Sequence, residues 1–517
     1  MKYLFLFCFF YLSISVQAQL LTKQEVLCKN IVTGGKVNGT VYQFEQRIDE
    51  VYIDTFLQAA IVQLRGLTKR KKKPLHYGSC VYLDLAIDSI AWSKEVLYEE
   101  EEIRHFPGVI IKEKIHKNRT FLLEPKTGIA TKEIVQNIFY VSPSNNLGIG
   151  YDKRITANPS LLYGVDLNTN TVLWERKVNR KFGLSECIPL NDSTLLLSAS
   201  GLHSLNIGDG RGWGLELVTG EQAEDNSKYV GIGVAFGLIG VLVASAIDEK
   251  GGTSADMITK IRGVESNILI DKGDIYYASK HEVFKLSKEG NILWSMQRDE
   301  ESSSYATIFI EGDFLFMVNN GTAFLGSKTV KYGEPGFVAF DKRTGEETIK
   351  FPFRNFIDGV VMDYRAREDE VVVMATEKLV QVMTDRQIKL YNFPHLKKEK
   401  FIGFLDENNF TITEDGRVIK TTDYYPNDYH LITNKKTIHR LDENLEEKEV
   451  KLVENIWNQV AVYKSLRILY DDETVLIIDE TGRKITSFFA NPKFMIFENQ
   501  LYFTQGNKLK ILDLSSF

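Results

Sequence analysis

The chain of 517 residues has four cysteines, and Cys8 falls in an apolar N-terminal stretch, leaving Cys28, Cys80 and Cys187 for the body of the protein. Three thiols close at most one internal disulfide, so cross-links do not organise the fold and a buried core must. Proline is scarce at 11 residues, which excludes collagen-like and Pro-rich architectures. Neither charge is in large excess. The 63 basic and 69 acidic residues leave a net charge of −6, so there is no bulk positive field to hold phosphates, and a nucleic-acid partner is disfavoured. The eight histidines include no His-x-x-x-His pair and none at zinc spacing from a cysteine. Gly-x-Ser-x-Gly elbows and Walker-type lysine loops are missing, which removes the common hydrolase and nucleotide-phosphate signatures. One glycine pattern, Gly231-Ile-Gly-Val-Ala-Phe-Gly237, superficially matches a dinucleotide loop. A charged stretch at 221–228 precedes it where a Rossmann loop needs a buried strand, so that reading is set aside.

Long apolar runs are few. The first, Tyr3 to Leu12, follows Lys2 and leads through Ser13–Gln17 to Ala18, the pattern of a secretory signal cleaved after Ala18. The expectation is an exported protein, periplasmic or secreted. The second run, Val230 to Ile247, is 18 residues without a charge, barely the length of a membrane-spanning helix.

What is abundant is a repeat. Val81-Tyr-Leu-Asp-Leu-Ala-Ile-Asp-Ser-Ile-Ala-Trp92, Leu162-Tyr-Gly-Val-Asp-Leu-Asn-Thr-Asn-Thr-Val-Leu-Trp174 and Glu282-Val-Phe-Lys-Leu-Ser-Lys-Glu-Gly-Asn-Ile-Leu-Trp294 share one pattern of strand, turn and strand, and Trp213 follows a similar segment from Gly201. The tryptophans are spaced by 82, 39 and 81 residues, near multiples of forty, and a unit without tryptophan ends at Gly128. Further units carry Asp341 and Gly345, Asp385, Asn444 and Gly482, and the last stops near Leu514. Asp or Asn at the strand end, as at Asp166, caps the turn, and Gly or Asn, as at Gly290, accepts a positive φ. The aromatic residue beyond it is placed to fill the wedge between neighbouring four-stranded sheets. A β-repeat of about forty residues means a propeller, because one sheet cannot bury both faces alone. Turn units number about ten. Discounting long intervals for insertions predicts an all-β, eight-bladed β-propeller, with seven blades as the alternative, over 41–517. A strand near 42–65 is expected to complete the last sheet, and residues 19–40 are left unassigned.

The segments ending at Trp174 and Glu346 resemble PQQ-like repeats of the quinoprotein alcohol dehydrogenase-like β-propellers, over about Val81 to the end. That family includes quinone-dependent dehydrogenases and non-catalytic propellers, among them an outer-membrane assembly factor. The resemblance implies, for a catalytic member, pyrroloquinoline quinone with calcium and a vicinal disulfide, yet no two cysteines here are adjacent. The non-catalytic branch is therefore preferred, with no cofactor and no metal. The implied function is protein binding or scaffolding among envelope or outer-membrane proteins; a quinone- or small-ligand-dependent enzyme or sensor using the central channel is the alternative.

Two segments are candidate contact elements. Repeats flank the insertion at about 221–262, so a single membrane crossing would separate them. Its run, with Val230, Phe236, Leu238, Ile239 and Leu242, is expected either to pack on the propeller or to dock on a partner or membrane surface. The basic run Lys69-Arg70-Lys71-Lys72-Lys73 suits anionic headgroups or an acidic partner, or is a solvated loop tip.

Overall fold

The computed structural model describes residues 21–69, 73–114, 119–152, 160–223, 260–326, 328–353, 361–367, 370–375, 378–383, 385–393, 400–413, 415–421 and 428–517. The chain forms two compact units. The first holds residues up to 117, 121–132 and 486–517; the second holds 118–120 and 133–485.

Nearly everything described is β-strand, arranged as small antiparallel sheets. Ten follow the up-and-down order expected of propeller repeats. Sheet 1 (48–97), most of sheet 2 (101–134) and sheet 10 (494–513 with 21–43) belong to the first unit. Sheets 3 (136–177), 4 (186–216), 5 (269–297), 6 (306–352), 7 (361–392), 8 (401–452) and, for the most part, 9 (456–489) belong to the second. The quoted sequence units are the third strand, turn and fourth strand of these sheets.

The middle strands explain how sheets stack. In Thr194–Ser198 and Glu370–Ala375 nearly every residue is buried, because alternate side chains enter different cores. Leu195 and Leu197 pack with Ile149 and Leu162 of sheet 3, whereas Leu196 packs with Ile275 and Tyr277 of sheet 5. Likewise Val371 and Val373 face Phe316 and Val318 of sheet 6, while Val372 and Met374 face Tyr429 and Leu431 of sheet 8. The fourth strands, such as Ile292–Gln297 and Glu447–Leu452, are largely exposed. Apolar on both faces, each sheet is stable only between neighbours.

The four repeat tryptophans link consecutive sheets. The indole N–H groups of Trp92, Trp174, Trp213 and Trp294 donate to the carbonyls of Pro125, Ile207, Lys288 and Lys342, at 2.7, 2.9, 2.9 and 3.2 Å. Each acceptor lies in the turn between the third and fourth strands of the following sheet. The ring rests on that turn's glycine: Gly128, Gly210, Gly290 and Gly345, with φ of 63, 72, 86 and 78°. A Cβ at any of them would stand 2.4–2.7 Å from the ring's Cδ2. Gly210 was not singled out by the repeat; its partner Trp174 identifies it. Gly482 differs, since its missing Cβ makes room for the Val418 carbonyl. The turn acids act as expected, with the Asp166 carboxylate accepting from the Asn168 and Thr169 N–H groups and Asp341 from Arg343 and Thr344.

Three expectations change. The discounted count of eight blades does not match ten sheets of repeat order. The insertions exist, but they sit within or between sheets at 220–262, 322–331 and 409–420 without replacing one. The strand that joins the C-terminal sheet is Lys36–Gln43, with Gly39 opposite Leu512 and Gln43 opposite Lys508; Ile48–Asp54 and Ala59–Leu67 instead begin sheet 1. Residues left unassigned, in Leu21–Lys29, pair with Lys36–Gln43 as the edge of that sheet. Cys28, Cys80 and Cys187 are free, and burial pushes the Cys80 thiol up to about 12. The signal segment lies outside the described residues.

Gly345→Ala should cost about 1–3 kcal/mol, because it forces both a clash with Trp294 and a left-handed conformation. Trp294→Phe, which keeps a ring but loses the N–H, should cost about 1 kcal/mol. Urea unfolding midpoints check both, and an alanine variant as stable as the parent would show that the contact does not hold the sheets.

Candidate functional site

The insertion has a defined base. Gly220–Gln222 pairs antiparallel with Lys260–Arg262, Gly220 opposite Arg262 and Gln222 opposite Lys260. This pair joins the hairpin Thr322–Leu325 and Lys328–Lys331, inserted in sheet 6, to make an accessory four-stranded sheet. Ala223, Ile261, Val264, Ala323 and Val330 form its core. The Val264 N–H donates to Thr219 O at 3.0 Å, extending the stem, and the Lys280 N–H donates to Val218 O at 2.8 Å, fastening it beside sheet 5, where Lys280 Nζ also meets Glu221 at 2.5 Å. Val230, Phe236, Leu238, Ile239 and Leu242 lie outside the described residues. What is described is that residues 222 and 260 are paired neighbours.

The basic run belongs to the first unit, where it joins Ala59–Leu67 to Pro74–Asp84. Thr68 and Lys73 close its loop: the Thr68 N–H donates to the Lys73 carbonyl at 2.7 Å and the Lys73 N–H to Thr68 Oγ1 at 3.2 Å. Lys69 and Lys73 are exposed; Arg70, Lys71 and Lys72 lie outside the described residues.

A buried polar cluster in the second unit escaped the sequence reading. Tyr277, on the second strand of sheet 5, donates its hydroxyl to Glu265 Oε2 at 2.8 Å. The same hydroxyl is 2.7 Å from Ser198 Oγ, which accepts from Ser185 Oγ at 2.9 Å. Beside them Glu186, at the start of sheet 4, accepts the Ile268 N–H at 2.6 Å, while the side chain of Asn267 bridges both backbone groups of Ile308. Near the cluster, buried Arg298 donates to the Ser279 and Ser304 carbonyls and to Asn319 Oδ1 at 2.6–2.8 Å. The available signal was the polar Glu265-Ser266-Asn267 break ahead of an apolar strand. Burial raises the Glu265 carboxyl above the ordinary range. It also pushes Glu186 up to about 7, opposed by the Ile268 N–H and reinforced by Glu265. The cluster can therefore store a proton. Among the described residues, no three or more His, Cys, Asp or Glu side chains are grouped to hold a metal ion, and no helix is long and apolar enough to cross a membrane.

Four-stranded sheets stacked through two apolar faces, with rings docked on the next sheet's turn, define a protein of β-propeller type. No family model and no curated protein matches the chain. Solved structures do. BamB from Moraxella catarrhalis is similar at 11% identity and a TM-score of 0.33, over 92% of this chain and 99% of that one. Apo AztD from Citrobacter koseri is similar at 11% identity and a TM-score of 0.31, over 69% and 90%. The dihydro-heme d1 dehydrogenase NirN, solved in complex with DHE, is similar at 10% identity and a TM-score of 0.31, over 74% and 73%. At these values the likeness carries no functional argument.

Glu186 titrates near 4.5 when unfolded and near 7 when folded, so between these values the folded state holds a proton that the unfolded state releases. Folding is then penalised above pH 7, and the penalty vanishes as pH falls below 4.5. Glu186→Gln should raise the thermal midpoint at pH 8 and leave it nearly unchanged at pH 4.5. Equal shifts at both pH values would remove the proton-holding role.

Proposed function

We propose that this protein is an exported, non-catalytic β-propeller-type module that binds and scaffolds proteins of the cell envelope, including outer-membrane proteins. The observation that carries this reading is the β-paired stem under the insertion. An accessory sheet holds residues 222 and 260 side by side, and the uncharged run Val230 to Ile247, which falls between them in the sequence and outside the described residues, is the docking element of this reading. The same run is a candidate for peripheral membrane contact, and the Lys69–Lys73 loop is a second contact element. Export rests on the signal pattern that ends at Ala18. No cofactor is invoked: the carboxyls of Glu186 and Glu265 accept protein donors, and the thiols are apart and free.

Crosslinking in intact cells, followed by affinity purification and mass spectrometry, tests the reading. Because residues 222 and 260 are paired, 224–259 can be replaced by a short polar turn without disturbing the stem. The full chain should recover envelope proteins and the shortened chain should lose them at an unchanged thermal midpoint. Identical recovery from both would sink the docking role.

The buried acid and tyrosine cluster favours a second reading, an enzyme or sensor acting on a small ligand or a quinone. Adding pyrroloquinoline quinone and calcium should leave the absorbance spectrum unchanged and produce no alcohol or sugar oxidation. A spectral shift with turnover would replace scaffolding by catalysis.

A further inference from the structure

We infer that a cavity between sheets 8 and 9 of the second unit binds a small neutral polyol, glycerol itself or the vicinal hydroxyls of a sugar entering from the open side. The site is unrelated to the insertion stem, so this inference and the scaffolding reading stand or fall separately.

The face of sheet 8 turned to sheet 9 breaks the stacking pattern. Its other face, with Tyr429, Leu431 and Leu441, packs in an apolar cluster with sheet 7. Alternation then places His430, Arg440, Glu449 and Lys451 on the opposite face, where they line a cavity of about 70 Å³. His430 is buried, Arg440 and Lys451 are half-buried and Glu449 is exposed, so this wall is polar and partly open where neighbouring sheets are apolar, an informative deviation.

The facing wall is the hairpin Asn409–Ile412 and Val418–Lys420, inserted between the first two strands of sheet 8 and added to the edge of sheet 9, with Thr411 opposite Ile456 and Phe410 opposite Trp457. Its two faces divide cleanly. Phe410 and Val418 join Leu469 and Leu476 in the core of sheet 9, whereas Thr411, Thr413 and Ile419 turn to the cavity. Thr421, just beyond the hairpin, also lines it.

Thr411 and Thr421 are 8% and 4% exposed, and the Oγ1 atoms of both are buried with no hydrogen-bond partner. An unmet buried hydroxyl is destabilising, so two on one wall mark a place for a molecule that completes them. The volume exceeds what a single water needs.

The chemistry of the walls selects the occupant. Arg440 Nε meets Asp428 Oδ2 at 2.5 Å, and Glu449 and Lys451 oppose each other in sign, so no net charge draws an ion. Burial lowers the His430 imidazole to about 4, so it is neutral at pH 7. The remaining lining is apolar, from Ile419, Ile438 and Val453. Hydroxyls that both donate and accept, set over an apolar floor, suit a neutral molecule with adjacent hydroxyls and a C–H face.

Saturation-transfer NMR on the full chain, with glycerol, erythritol and glucose as probes and acetate as the anionic control, tests this. Transfer is expected to the polyols and not to acetate. Thr411→Val and Thr421→Val should each weaken binding about tenfold or more while leaving the unliganded protein at least as stable as the parent, since each removes an unmet hydroxyl. Absence of transfer to all three polyols, equal transfer to acetate, or unchanged binding by both valine variants would overturn the inference.

Discussion

The docking of a tryptophan ring on the turn glycine of the next sheet is the contact on which the rest of the structure leans. Apolar burial drives the sheets together but has no direction, so it does not choose their register. The indole supplies the choice. Its N–H reaches one carbonyl, and its face fits only where the turn has no Cβ. The same turn is held by a polar side chain at the strand end, Asn206, Ser287 and Asp341 in three of the four, so local backbone chemistry and packing between sheets meet in a handful of atoms.

Where this device stops, other chemistry takes over. Between sheets 7 and 8 the link is polar, with the Tyr391 hydroxyl donating to Glu447 at 2.7 Å and Lys389 Nζ donating to Asn444 at 2.9 Å. Between sheets 8 and 9 the inserted hairpin intervenes, and its threonines and the polar face of sheet 8 leave a cavity beside the small apolar cluster of Leu405, Ile438, Val453 and Ile456. The regular sheets thus provide a frame, and the insertions carry what is particular to this chain. A stacked β-frame tolerates such insertions because they leave from turns, where no ladder bonds are lost.

The buried cluster around Glu265 follows the same economy. Polar groups removed from water there are matched by hydroxyls and backbone N–H groups, so the strands at the start of sheets 4 and 5 are tied by specific bonds as well as by burial. Its cost is a raised carboxyl, which links the stability of the second unit to pH.

The β-class and the repeat were legible because two-residue alternation, Asx caps and positive-φ glycines are local and leave their mark residue by residue. Trp92, Trp174, Trp213 and Trp294 could be assigned to one slot for that reason. The number of sheets, the pairing of Lys36–Gln43 with the C-terminal strand, the accessory sheet made from two distant insertions, and the meeting of Ser185, Ser198, Glu265 and Tyr277 were not legible. They depend on contacts between residues far apart in the chain, whose partners no local pattern names. The sequence by itself determined what each strand and turn is; the tertiary structure alone decided which of them meet, because burial rewards any apolar face and only specific contacts select between them.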